Sequence, residues 1–153
     1  MQIERDNMRN NAVILLAEDD EGHAQLITKN LKMSGVKNLI INFKDGGEVL
    51  EFFNKAKGLQ GDNTMKFILL LDIRMPVVDG IEVLQKIQNY KWLQGMPIIV
   101  ITSSSDTHEA EVCYSLGCKN VIVKPIQYAQ FSSAMMQLGD YLRTDIFPEI
   151  GNA

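Results

Sequence analysis

A chain of 153 residues, 46% apolar and 22% charged, has the size and balance of one soluble globular domain able to bury a sizeable core. Its formal charge of −4 argues against nucleic acid or a membrane surface as the main partner, and no apolar run approaches the roughly 20 residues of a membrane helix. The opening stretch "MQIERDNMRNN" lacks the apolar centre of a signal peptide, which predicts a cytoplasmic protein with a flexible leader over residues 1–11. Cys113 and Cys118, five apart around a glycine, form no metal or redox motif and read as two reduced, partly buried thiols.

"AVILLA" (12–17) is a continuous apolar run, the pattern of a strand buried on both faces. Ala24, Ile27 and Leu31 follow at helical spacing, with Gly35 as a stop. "NLIINF" (38–43) reads as the second strand, and Val49, Leu50, Phe52, Phe53 and Ala56 line one face of the helix after it. Residues 57–66, polar and glycine-containing, form a loop that is long for a helix-to-strand connection. "FILLLD" is the third strand, and Ile81, Leu84 and Ile87 mark the third helix. "MPIIVITS" is the fourth strand. Asp106 and Glu109 then stand at capping-box spacing before a helix closed by Gly117. "VIV" (121–123) is a short fifth strand, followed by a last helix with Phe131, Ala134, Met135, Leu138 and Leu142 on its apolar face. The alternation predicts one α/β domain over 12–143, a doubly wound parallel sheet with helices on both faces, and a tail over 144–153. Met135, Met136, Tyr141, Ile146, Phe147 and Ile150 exceed what one helix face needs, so residues 127–150 are a candidate for partner contact or for self-association as a homodimer, the alternative being a tail that folds back onto its own domain.

In an open α/β sheet, ligands bind beyond the carboxyl ends of the strands. Strand 1 ends in Glu18-Asp19-Asp20, strand 3 in Asp72, strand 4 in Thr102-Ser103 and strand 5 in Lys124-Pro125. Taken singly, each acid fits a turn or cap, Thr102 a backbone-bonded hydroxyl, and Lys124 a solvated charge. Their joint occurrence at one sheet edge points to chemistry. Clustered carboxylates repel, and a hard cation such as Mg²⁺ relieves that repulsion. Lys124 offers a point charge to a phosphoryl oxygen, Thr102 a hydroxyl donor, and Asp72 a carboxylate nucleophile able to form an acyl phosphate.

"LLAEDD", "LLLDIRMPVVDG", "VITSS" and "VIVKP", in this order across residues 12–142, resemble the motifs of the receiver domain of two-component response regulators. The resemblance implies a five-stranded flavodoxin-like fold. It implies phosphotransfer onto Asp72 from a histidine kinase or phosphotransfer protein, with an unknown protein downstream. It assigns Mg²⁺ to Glu18, Asp19, Asp72 and the backbone carbonyl of Arg74, and phosphoryl contacts to Thr102 and Lys124. It also implies a cis Lys124–Pro125 bond. No DNA-binding or enzymatic segment accompanies the motifs, so a single-domain regulator is expected, and the long loop at 57–66 resembles the subgroup that partners phytochrome-like sensor kinases.

Two positions depart from the family pattern. Val121 stands where many receivers carry Tyr or Phe, and Arg74, two after the acceptor, is bulkier than the usual Asn. Arg74 and Ser104 are therefore expected to set the lifetime of the acyl phosphate. Val121, stiff at χ1, is expected to stay still while Thr102 and the loop from Ser103 to Asp106 move. Arg74 also argues against a turnover phosphohydrolase, which would place an acid/base Asp there. A receiver that works without phosphorylation does not fit a chain with every acidic and basic position filled. Flavin binding is excluded by "EDDEGH", a first turn that is acidic and short of phosphate-cradling glycines.

Overall fold

The five apolar runs form five parallel strands in the computed structural model, which describes residues 12–57 and 66–151. The leader expected at 1–11 and nearly all of the loop expected at 57–66 lie outside the described residues. Strands β1 (Ala12–Ala17), β2 (Ile40–Phe43), β3 (Lys66–Leu71), β4 (Ile98–Thr102) and β5 (Asn120–Val123) lie in the order β2-β1-β3-β4-β5, that of the flavodoxin-like doubly wound sheet. The order reverses between β1 and β3, and their register pairs Ala17 with Leu71. The residues that follow, Glu18 and Asp72, therefore emerge side by side.

Alternation along each strand feeds two cores. Val13, Leu15, Leu69, Leu71 and Val100 pack beneath α2 (Gly46–Ala56), α3 (Gly80–Ile87) and α4 (Thr107–Ser115). Ile14, Leu16, Ile68, Leu70 and Ile99 pack beneath α1 (Glu21–Met33) and α5 (Tyr128–Tyr141). Each fully buried aliphatic side chain contributes about 1.5–3 kcal/mol. Asp20, Asp45, Asp79 and Asp106 cap α1 to α4, each accepting a backbone N–H of the first turn.

The capping box expected at α4 is half formed. Asp106 caps the helix, but its own N–H donates to Ser104 Oγ (3.2 Å), because the Glu109 carboxylate is engaged by Arg74. A charge-assisted bond to a guanidinium outcompetes one to a neutral amide.

The segment expected as a tail is helical. After α5 the chain widens into a π turn (Leu142–Ile146) and continues as α6 (Phe147–Gly151). Leu142, Ile146 and Phe147 are buried against the α1/α5 core, and Lys119 pairs with Glu149 at 3.0 Å.

Close approach fixes the start of α3. A Cβ on Gly80 would lie 2.4 Å from the Asp72 carbonyl oxygen, and Gly80 N–H donates to the Ile73 carbonyl at 2.8 Å. Nearby, a Cβ on Gly46 would lie 2.1 Å from the Val78 carbonyl oxygen.

Candidate functional site

Backbone hydrogen bonds carry the ladder one residue past the strands: Asp72 N–H donates to the Ala17 carbonyl (3.0 Å), and Lys124 N–H to the Thr102 carbonyl (2.7 Å). This aligns the ends of β1, β3, β4 and β5, where the sequence placed its candidates. Glu18, Asp19 and Asp72 each offer an oxygen within 4.8 Å of the others. Glu18 is only 2% exposed and Asp72 is buried, whereas Asp19 faces solvent. The third acid of the run, Asp20, is drawn off as the cap of α1, and its bond from His23 N–H holds its carboxyl below the usual range.

Lys124 is buried, and its Nζ donates to Asp72 Oδ2 at 3.0 Å and to Glu18 Oε1. Two buried carboxylates thus share one ammonium. Desolvation by burial pushes Glu18 up from 4.5 to about 7; the hydrogen bond from Lys124 opposes the rise and the charge of Asp72 adds to it.

His23, which the sequence did not single out, is the third acceptor on Lys124. Its Nδ1 lies 3.1 Å from Nζ, and the ring stacks edge-on against Phe131 with centroids 5.4 Å apart. An ammonium only donates, so Nδ1 accepts and the ring proton sits on Nε2. Its position three residues after the cap Asp20 was the available signal, and a lone histidine in a first helical turn is a weak one.

Thr102 is buried at the end of β4, its hydroxyl oxygen accepting the N–H of Ser104 at 3.1 Å. Ser103 is exposed and Ser104 half-buried. A cavity of about 170 Å³ lies behind Thr102, lined by Ile73, Ser104, Glu109, Tyr114 and Val121. Val121 is half-buried in the α2–α4 core, and its N–H donates to the Tyr114 hydroxyl at 3.1 Å. Arg74 N–H points at Asp72 Oδ1 at 3.4 Å, a long contact. Its guanidinium reaches away to α4, where Nη2 donates to both carboxylate oxygens of Glu109 at 2.9 Å.

One expectation fails. No cis peptide occurs among the described residues, so Lys124–Pro125 is trans. The trans form is favoured by about 0.5–1 kcal/mol at an X–Pro bond, and Lys124 reaches both carboxylates with it.

Known proteins resemble this chain in sequence and in fold. FilR2, a probable methanogenesis regulatory protein of Methanothrix harundinacea, is 30% identical over 129 residues, spanning 84% of this chain and 82% of its own. The response regulator Rcp1 of Synechocystis is 31% identical over 112 residues, 73% of this chain and 76% of its own. A receiver-domain crystal structure from Rhodospirillum rubrum superposes with a TM-score of 0.76 at 34% identity, covering 86% of this chain and 93% of that one. The family model for the response regulator receiver domain matches residues 14–136. With strand order, acidic edge and family match in agreement, the chain belongs to the response regulator receiver domains and acts in two-component signalling.

Proposed function

We propose that Asp72 is the phosphoryl acceptor of this receiver, and that Glu18, Asp19, Asp72 and the backbone carbonyl of Arg74 hold Mg²⁺. The observation that carries this reading is the convergence of three carboxylates within 4.8 Å of one another, with the Lys124 ammonium 3.0 Å from Asp72. The donor set fits a hard cation: it is all oxygen, and it carries more negative charge than Lys124 can balance. Rcp1, among the relatives, has been solved in an Mn²⁺-bound form. When bound, the divalent ion supplies positive charge against the carboxylates and the phosphoryl oxygens.

The carboxylate oxygen of Asp72 attacks phosphorus in line, forming an O–P bond as the N–P bond of a phosphohistidine breaks and its imidazole keeps the electron pair. Lys124 exchanges part of its contact with Asp72 for a phosphoryl oxygen, and the Thr102 hydroxyl donates to another. Thr102 then moves with the loop from Ser103 to Asp106 while the Val121 side chain stays in place. Water later hydrolyses the acyl phosphate slowly, and no external substrate is turned over.

The donor is a sensor histidine kinase or phosphotransfer protein in the cytoplasm, and the output is contact with a downstream protein. No helix among the described residues is long and apolar enough to cross a membrane. A phytochrome-type kinase is the favoured partner, because the bacteriophytochrome response regulator AtBRR is 32% identical over 83% of this chain with a TM-score of 0.61. Of the residues that would supply a homodimer contact, Met135, Ile146 and Phe147 are buried in their own domain, and Met136, Tyr141 and Ile150 are half-buried.

Intact-mass analysis after incubation with acetyl phosphate tests the assignment. One phosphoryl group is expected on the wild type with Mg²⁺, and none with chelator or in Asp72→Asn. Labelling of Asp72→Asn at another residue, or labelling indifferent to chelator, overturns it.

A further inference from the structure

We infer that Glu109 is a positioning residue for Arg74, holding its guanidinium on α4 in the unphosphorylated protein and releasing it to the phosphoryl group once Asp72 is loaded. This rests on the reading of Asp72 as acceptor. Arg74 is kept near Asp72 by the chain itself, two residues on, so its side chain is the part free to change partner. That side chain is 69% exposed, whereas the carboxylate it holds is 17% exposed, at the first turn of α4. A carboxylate there is favoured by the helix dipole and moves with the helix, so Glu109 is the fixed member of the pair. Arg74 is the mobile one.

The two possible partners differ in charge. Glu109 carries one negative charge and two oxygens, while a phosphoryl group two residues from Arg74 carries nearly two charges and three oxygens. A guanidinium binds phosphate oxygens as readily as carboxylate oxygens, so loading Asp72 draws Arg74 off α4. There it lies across the approach of the water that would hydrolyse the acyl phosphate. Glu109 is then left with its second local partner, the Asp106 N–H now bonded to Ser104 Oγ at 3.2 Å, which is the capping-box contact its spacing encodes. Ser104 also donates its N–H to the Thr102 hydroxyl oxygen at 3.1 Å, so the exchange reaches the residue beside the phosphoryl group. Glu109 thereby competes for the group that protects the phosphorylated state.

The lifetime of the acyl phosphate in four proteins tests this: wild type, Glu109→Gln, Arg74→Ala and the double variant, each labelled with acetyl phosphate and followed by intact mass. Glu109→Gln is expected to slow decay by about three- to tenfold, and Arg74→Ala to hasten it by a similar factor. Adding Glu109→Gln to Arg74→Ala is expected to change decay far less than the same substitution does in the wild type, because Glu109 acts on the phosphoryl group mainly by holding Arg74, and the path through Ser104 to Thr102 is the smaller effect. A merely structural role for Glu109 would alter decay equally in both backgrounds, and that result, or unchanged decay in Glu109→Gln, overturns the inference. Failure of all four proteins to label overturns the acceptor assignment and this inference with it; labelling with unaltered lifetimes overturns the inference alone.

Discussion

Lys124 reaches Asp72 from 52 residues away, Nζ to Oδ2 at 3.0 Å, and also donates to Glu18. Removing the ammonium leaves two buried carboxylates facing each other. Lys124→Met is therefore expected to cost about 3 kcal/mol in chelator, the lower end for a broken buried pair because exposed Asp19 leaves the edge open to water. Mg²⁺ should restore part of the loss. Urea unfolding with and without the ion measures both, and an unchanged midpoint in chelator would refute the shared-cation picture.

Glu18 makes the metal-free protein pH-sensitive. Its folded value of about 7 lies above the ordinary 4.5, so the native state keeps a proton that the unfolded chain gives up between those values. The stabilisation from that proton is complete below 4.5 and lost as pH rises towards about 7, at no more than roughly 1.4 kcal/mol per pH unit. Glu18→Gln should flatten this decline. Urea midpoints at several pH values between those limits, in chelator, would show it; an identical slope in the variant assigns the effect elsewhere.

Val77 sits at φ 67°, in the left-handed region, and is 83% exposed in the loop between Asp72 and α3. A β-branched residue there is strained by about 1–2 kcal/mol, and asparagine tolerates the conformation better. Val77→Asn is expected to stabilise the protein by about 1 kcal/mol, read as a raised Tm. A lowered Tm would mean that the valine side chain makes contacts worth more than the strain.

Phe147 is buried beyond the point where the sequence placed the end of the domain. Phe147→Ala is expected to cost about 3 kcal/mol by leaving a cavity against α1 and α5. A cost below about 1 kcal/mol would show that the segment docks loosely.

The strands were legible because a sheet covered on both faces needs unbroken apolar runs, and β1, β3 and β4 are such runs. The acidic edge was legible from a rule of topology: with strand ends aligned, Glu18, Asp19, Asp72 and Lys124 had to meet. What escaped was decided by competition between distant groups. Glu109 sits at a local capping distance from Asp106, yet Arg74, 35 residues earlier, takes it. His23 meets Lys124 across 101 residues with no motif to announce it. At the C-terminus, the segment read as a tail continues as helix through Pro148. A proline lacks the N–H for a bond to the carbonyl four residues back, but the wider turn over Leu142–Ile146 leaves it at the start of α6, where that bond is not required.

Gly80 carries no functional group, yet its Cα lies so near the end of β3 that a methyl group would collide with the Asp72 carbonyl oxygen at 2.4 Å and Ile73 Cα at 2.7 Å. Both obstacles are backbone, which cannot swing aside as a side chain can. In a library varied at every position and selected for signalling, residue 80 would therefore appear as intolerant as residue 72. The two vetoes have different origins: on the assignment proposed above, one position is closed because its oxygen takes the phosphoryl group, the other because its neighbour needs the volume. A tolerance map alone would count both as chemistry. Selection for folding without signalling separates them, since it releases Asp72 and keeps Gly80.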